Sequence, residues 1–161
     1  MLPDVIRDHL SWWTAVREGR AGMPDHVPAW VPERLPELAA LERDLLPLAA
    51  GTGMLHGDLR VDNVLIDAGG AAWICDWTWP CLGATWFDTV TLLVSAYASG
   101  LDVEARLPDA PTRGVSGVLA AMGGYWLDQA SGSPGGSPHS RQHHLFSGTQ
   151  ALAWLAEREG W

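Results

Sequence analysis

Asp58 and Asn63 stand five residues apart in His56-Gly57-Asp58-Leu59-Arg60-Val61-Asp62-Asn63, and Asp76 follows in Ile74-Cys75-Asp76-Trp77. An amide oxygen and a carboxylate are hard donors. Such a pair suits Mg²⁺, which keeps few protein ligands and shares the rest of its shell with water and phosphate. Asp58 can reach the same space without being a ligand. Phosphoryl transfer divides its labour in this way: the metal neutralises the phosphates, and a separate carboxylate orients the attacking hydroxyl and takes its proton. The plain alternative is a turn aspartate, a cap and a strand-end acid. Asp88, in Trp86-Phe87-Asp88, has a similar alternative as a helix cap.

These residues need a short hairpin to bring them together. Val64-Leu65-Ile66 and Ala71 to Cys75 are apolar runs separated by the turn Asp67-Ala68-Gly69-Gly70. Pairing the two runs places Asp76 near Asn63. Helical spacing predicts helices over 2–18, 32–49, 84–99, 112–130 and 141–159, with loops over 19–31 and 131–138. In the second helix Pro32 suits the first turn and Pro47 marks the end. The expected fold is α+β and mostly helical, with one small hairpin in the middle.

The string H-G-D-x-x-x-x-N at 56–63, followed by a hairpin and I-x-D-W at 74–77, resembles the aminoglycoside phosphotransferase family, relatives of choline kinases and protein kinases. The similarity runs on through Asp76 to Asp88, and the C-terminal run Ala151 to Trp161 resembles the family's closing helix. The resemblance implies the C-terminal, catalytic lobe of a protein-kinase-like fold. It makes Asp58 the catalytic base and Asn63 and Asp76 the Mg²⁺ ligands that hold ATP. His56 supports the loop and Asp88 braces it by hydrogen bonds. Trp77 departs from the protein-kinase D-F-G but is ordinary for this family. On this reading 1–161 is a single domain: a helical entry over 1–53, catalytic loop and metal hairpin over 54–88, and a helical closing part over 89–161.

The family's N-terminal lobe brings a β-sheet and a lysine to the phosphates. The 161 residues here contain no lysine, and the residues before the motif read as helices. The expectation is therefore a chain without that lobe. Such a chain is an ATP- and Mg²⁺-dependent kinase of small-molecule hydroxyls, a non-catalytic remnant or binding module, or half of a split enzyme. A partner lobe or a second copy would cover the exposed cleft face. An oxygen-ligand metal phosphohydrolase is a third reading, and it calls for further His or Asp ligands.

Composition narrows the field. Ten basic residues against 19 acids give a net charge of −9, which disfavours nucleic acid and anionic membranes. No apolar stretch approaches the roughly 20 residues that span a bilayer. The N-terminal residues do not read as a signal peptide, and two cysteines, Cys75 and Cys81, are too few for a disulfide framework, so a cytoplasmic setting is expected. His139 and His143 share i, i+4 spacing with no acid nearby in sequence and read as a solvated helix start. Trp12 and Trp13 cannot both face inward, so one is a candidate for lining a groove. Asp62 reads as exposed loop polarity.

Overall fold

The computed structural model describes residues 1–107, 109–132 and 138–161. Its helices are α1 (Leu2–His9), α2 (Trp12–Arg17), α3 (Leu35–Leu48), α4 (Trp86–Ala98), α5 (Thr112–Ser131) and α6 (Pro138–Glu159). Its strands are β1 (Gly53–Leu55), β2 (Val64–Ile66), β3 (Ala72–Ile74) and β4 (Cys81–Gly83). The architecture is α+β and mostly helical, with two small antiparallel ribbons.

Helix α5 is the centre of the core. Every residue from Gly114 to Gly124 is buried, so the helix has no polar face over that stretch and must be covered on all sides. Helices α3, α4 and α6 supply the cover, and α2 closes one end. Small residues let the neighbours approach. A Cβ on Gly124 would lie 2.8 Å from Trp13 Nε1, whose N–H instead donates to the Ala120 carbonyl at 2.8 Å. Trp13, Trp126, Trp154 and Phe87 are fully enclosed in this core.

The expected helix over 2–18 is two helices. The chain breaks at Leu10-Ser11, where the Ser11 hydroxyl donates to the Ile6 carbonyl at 2.9 Å and competes with the helical ladder. The restart is fixed from a distance. Buried Glu42 of α3 accepts from Trp13 N (2.9 Å), Thr14 N (2.8 Å) and the Thr14 hydroxyl (2.6 Å), so it satisfies free amides in the first turn of α2. Burial pushes the Glu42 carboxyl up to about 7, against the pull of those three hydrogen bonds. The loop expected over 131–138 includes residues 133–137, which lie outside those described.

The expected hairpin is β2–β3, with Val64 opposite Ile74 and Ile66 opposite Ala72. Its turn is tied by Asp67, whose Oδ1 accepts from Gly69 N and Ala71 N. A second ribbon, β1–β4, pairs Gly53 with Gly83 and Leu55 with Cys81. It flanks the loop at both ends: β1 leads into His56 and β4 follows Trp79-Pro80. Among the described residues, no helix is long and apolar enough to cross a membrane.

Candidate active site

The 56–63 loop is held by a chain of hydrogen bonds that links four of the five candidate residues. Asp88, in the first turn of α4, accepts from His56 N at 2.6 Å through Oδ2 and from Gly57 N at 3.0 Å through Oδ1. It thus spends its carboxylate on the loop, and no side-chain cap of α4 is made. His56 is buried, and its Nδ1 accepts from Asp58 N at 3.4 Å. That leaves Nε2–H to donate to the Cys75 carbonyl at 2.8 Å, which ties the loop to the far end of the hairpin.

Asn63 is buried, and its Nδ2 donates to the Asp58 carbonyl at 3.0 Å. The amide oxygen is therefore the end left free. The Asn63 carbonyl accepts from Cys75 N at 2.9 Å, so Asn63 and Cys75 close the base of the hairpin and Asp76 is the next residue. Asp76 is exposed and has a left-handed backbone, φ 61°. A non-glycine residue there is costly and persists only where its surroundings enforce it. Here Thr78 N donates to the Asp76 carbonyl (2.8 Å) and the Thr78 hydroxyl to Asp76 Oδ1 (2.6 Å), leaving Oδ2 as its second oxygen.

Gly57 has φ 86°, and a Cβ there would meet the Trp79 carbonyl oxygen at 2.5 Å. The position is closed to any other residue by conformation and by space.

Asp58 is poised differently from the others. Its Oδ2 lies 3.2 Å from Arg60, while its Oδ1 is buried without a hydrogen-bond partner. It faces a narrow cleft shared with Gly57, Trp79, Met122 and Tyr125. Tyr125 also lines a cavity of about 460 Å³ with Asp8, His9, Trp12, Asp128 and Gln129, among others. Of the tryptophan pair, Trp13 is core and Trp12 lines this cavity. Burial raises the Tyr125 hydroxyl above its usual range, and the Asp58 charge adds to the effect. Burial also raises Asp128.

The structure adds Arg60 and His144, which the sequence reading did not single out, and gives Asp62 and His143 neighbours that it did not foresee. Arg60 donates from Nε and NH2 to Asp62, and its side chain is only 11% exposed. Burial works against both charges, but the pairing outweighs it: Asp62 is held below the usual carboxylate range and Arg60 above its own. Asp62 is exposed, as expected, and is also paired with Arg60. From α6, His143 Nδ1 comes to 3.6 Å from Asp62 Oδ2, which gives it an acid neighbour that sequence distance conceals. Burial lowers the adjacent His144, and Arg60 lowers it further. His56, Asp58 and Asn63, two and five positions apart in the loop, were legible as motif. Contacts across 80 residues, between loop and α6, carried no sequence signal.

The family model of the phosphotransferase enzyme family matches residues 6–121. The chain belongs to that family. The match covers every loop and hairpin residue named above, together with the second half of α1 and all of α2, α3 and α4, and it ends inside α5. Family membership gives the chain phosphotransferase character in general and ties it to ATP and Mg²⁺ in the same general sense. No curated protein and no solved structure matches the chain.

Proposed function

We propose that this chain is the catalytic lobe of an ATP- and Mg²⁺-dependent phosphotransferase that acts on a hydroxyl of a small molecule, such as an aminoglycoside or a related sugar or amino-alcohol. The observation that carries this reading is the buried, unpartnered Oδ1 of Asp58. A buried acceptor left open is costly, and a donor supplied by a ligand removes the cost. A substrate hydroxyl donating to Oδ1 would be oriented by Asp58 and would pass its proton to it. The cavity beyond Tyr125, lined by aromatic Trp12, by acidic Asp8 and Asp128 and by basic Arg7 and Arg20, offers the acceptor's body a place.

Asn63 and Asp76 fit a Mg²⁺ site by their chemistry. The Asn63 amide nitrogen is already committed, so its oxygen is the available donor, and Asp76 brings a carboxylate on the neighbouring hairpin end. The set of one amide and one carboxylate leaves room for phosphate and water, as Mg²⁺ prefers. When bound, the ion would neutralise the nucleotide phosphates. His56 and Asp88 hold the loop so that Asp58 and Asn63 keep their places. A two-metal phosphohydrolase would need further ligands, and among the described residues no group of three or more His, Cys, Asp or Glu side chains could hold a metal.

A second reading has its own observation. Leu65, Ile66, Trp73, Ile74 and Trp77 are all exposed along the β2–β3 hairpin and just beyond it. The register sets Leu65 and Trp73 on one face of the ribbon and Ile66 and Ile74 on the other, and exposed apolar faces of this kind mark an interaction surface. On this reading the chain is half of a split kinase, with a lysine-bearing β-rich lobe supplied separately, or a binding module. Calorimetry and turnover discriminate. Mg-ATP should bind, with affinity lowered by Asp76→Ala, and phosphate should pass to a member of an acceptor panel, with or without an added lobe. Unchanged Mg-ATP affinity in Asp76→Ala would argue against the metal assignment. Binding of a partner with no turnover under any condition would favour the module.

A further inference from the structure

We propose that Asp62 is a positioning residue that keeps Oδ1 of Asp58 free of a hydrogen-bond partner by committing the Arg60 fork to itself. This inference rests on Asp58 being the base, as proposed above.

Arg60 has two faces to offer a carboxylate. Its Nε and NH2 edge is taken by Asp62, at 3.1 Å to Oδ1 and 3.0 Å to Oδ2. Two parallel bonds of this kind fix both the position and the plane of a guanidinium. The remaining nitrogen, NH1, lies 3.2 Å from Asp58 Oδ2, and it is buried without a hydrogen-bond partner. The shortest approach of Asp58 to Arg60 is therefore through Oδ2, and Oδ1 has no hydrogen-bond partner. His143 Nδ1, 3.6 Å from Asp62 Oδ2, closes the other side of the pair from α6.

Removing the Asp62 charge changes which carboxylate the fork prefers. Arg60 side-chain burial limits escape to solvent, and Asp58 is the other carboxylate within reach. A bidentate pair with Asp58 would then occupy Oδ1, the atom a substrate hydroxyl needs. Asp62 thus acts through Arg60 and touches no substrate.

The expected result for Asp62→Asn is kcat lowered by about tenfold or more, with acceptor KM within about twofold, since closing the base affects reaction more than binding. Asp62→Glu should recover part of the loss. Adding Arg60→Gln to Asp62→Asn should also recover part of it, because no fork remains to close Oδ1. A double variant no faster than Asp62→Asn would overturn the proposal. A second measurement needs no turnover: solvent exchange of the Arg60 Nε–H followed by ¹⁵N NMR on the full chain. In wild type it should be insensitive to Asp58→Asn. In the Asp62→Asn background it should become sensitive to Asp58→Asn. Insensitivity in both backgrounds would sink the inference, whatever the turnover. Absence of turnover in every protein, with the NMR dependence as expected, would count against the phosphotransfer reading and leave the placement of Arg60 standing.

Discussion

Asp88 braces the 56–63 loop through its backbone amides. Its two oxygens accept from His56 N and Gly57 N, and both donors sit where the loop turns through Gly57. Replacing Asp88 by Ala would leave two part-buried amides without acceptors, at a cost on the order of 3 kcal/mol. We expect Asp88→Ala to lower the Tm and to cut turnover together, as differential scanning calorimetry and a phosphotransfer assay would record. Gly57→Ala should do the same for a different reason. The new Cβ meets the Trp79 carbonyl and the backbone must leave φ 86°. A Gly57→Ala protein with wild-type Tm would contradict the reading of that turn. The residues of the loop were legible because their spacing is local. The role of Arg60 and Asp62 was not, because a charge pair two residues apart in a loop looks the same whether it stands alone or, as here, lies beside Asp58 and α6.

At the scale of elements, the helices were legible wherever one apolar face meets the core, and their ends were less so. The restart of α2 was hidden because it is held by Glu42, some 30 residues away, whose carboxylate accepts from the first turn of that helix. Ribbon β1–β4 was hidden because three-residue strands rich in glycine carry no alternation to read. Glu42 makes a pH prediction. Its carboxyl is raised to about 7 in the fold from an ordinary value of 4.5. A raised acid binds protons more readily in the folded state. Its contribution to stability is therefore full below about pH 4.5 and is lost as pH rises through 7, a change on the order of 3 kcal/mol. Subtracting the unfolding free energy of Glu42→Gln from that of wild type at each pH should isolate this decline between pH 5 and 8. A flat difference would show that burial does not perturb Glu42 in this way.

At the scale of the molecule, a glycine-rich central helix, α5, is wrapped by helices on all sides, and the two ribbons carry the loop on its rim. The core buries its apolar side chains, but the β2–β3 hairpin does not: Leu65 and Trp73 are 61% and 62% exposed. Trp73→Ser and Leu65→Ser should therefore leave the Tm nearly unchanged, within about 1 kcal/mol of stability, because little burial is lost. They should weaken docking of a β-rich lobe supplied in trans, measured by calorimetry. The central claim is that Asp58 is the base for transfer of phosphate to a hydroxyl. It is tested most directly by phosphate transfer from Mg-ATP to an acceptor panel, comparing wild type with Asp58→Ala. Transfer by wild type and a loss of about 10²–10⁴-fold in Asp58→Ala, with an unchanged Tm, is the expected result. Equal transfer by the two proteins would contradict it.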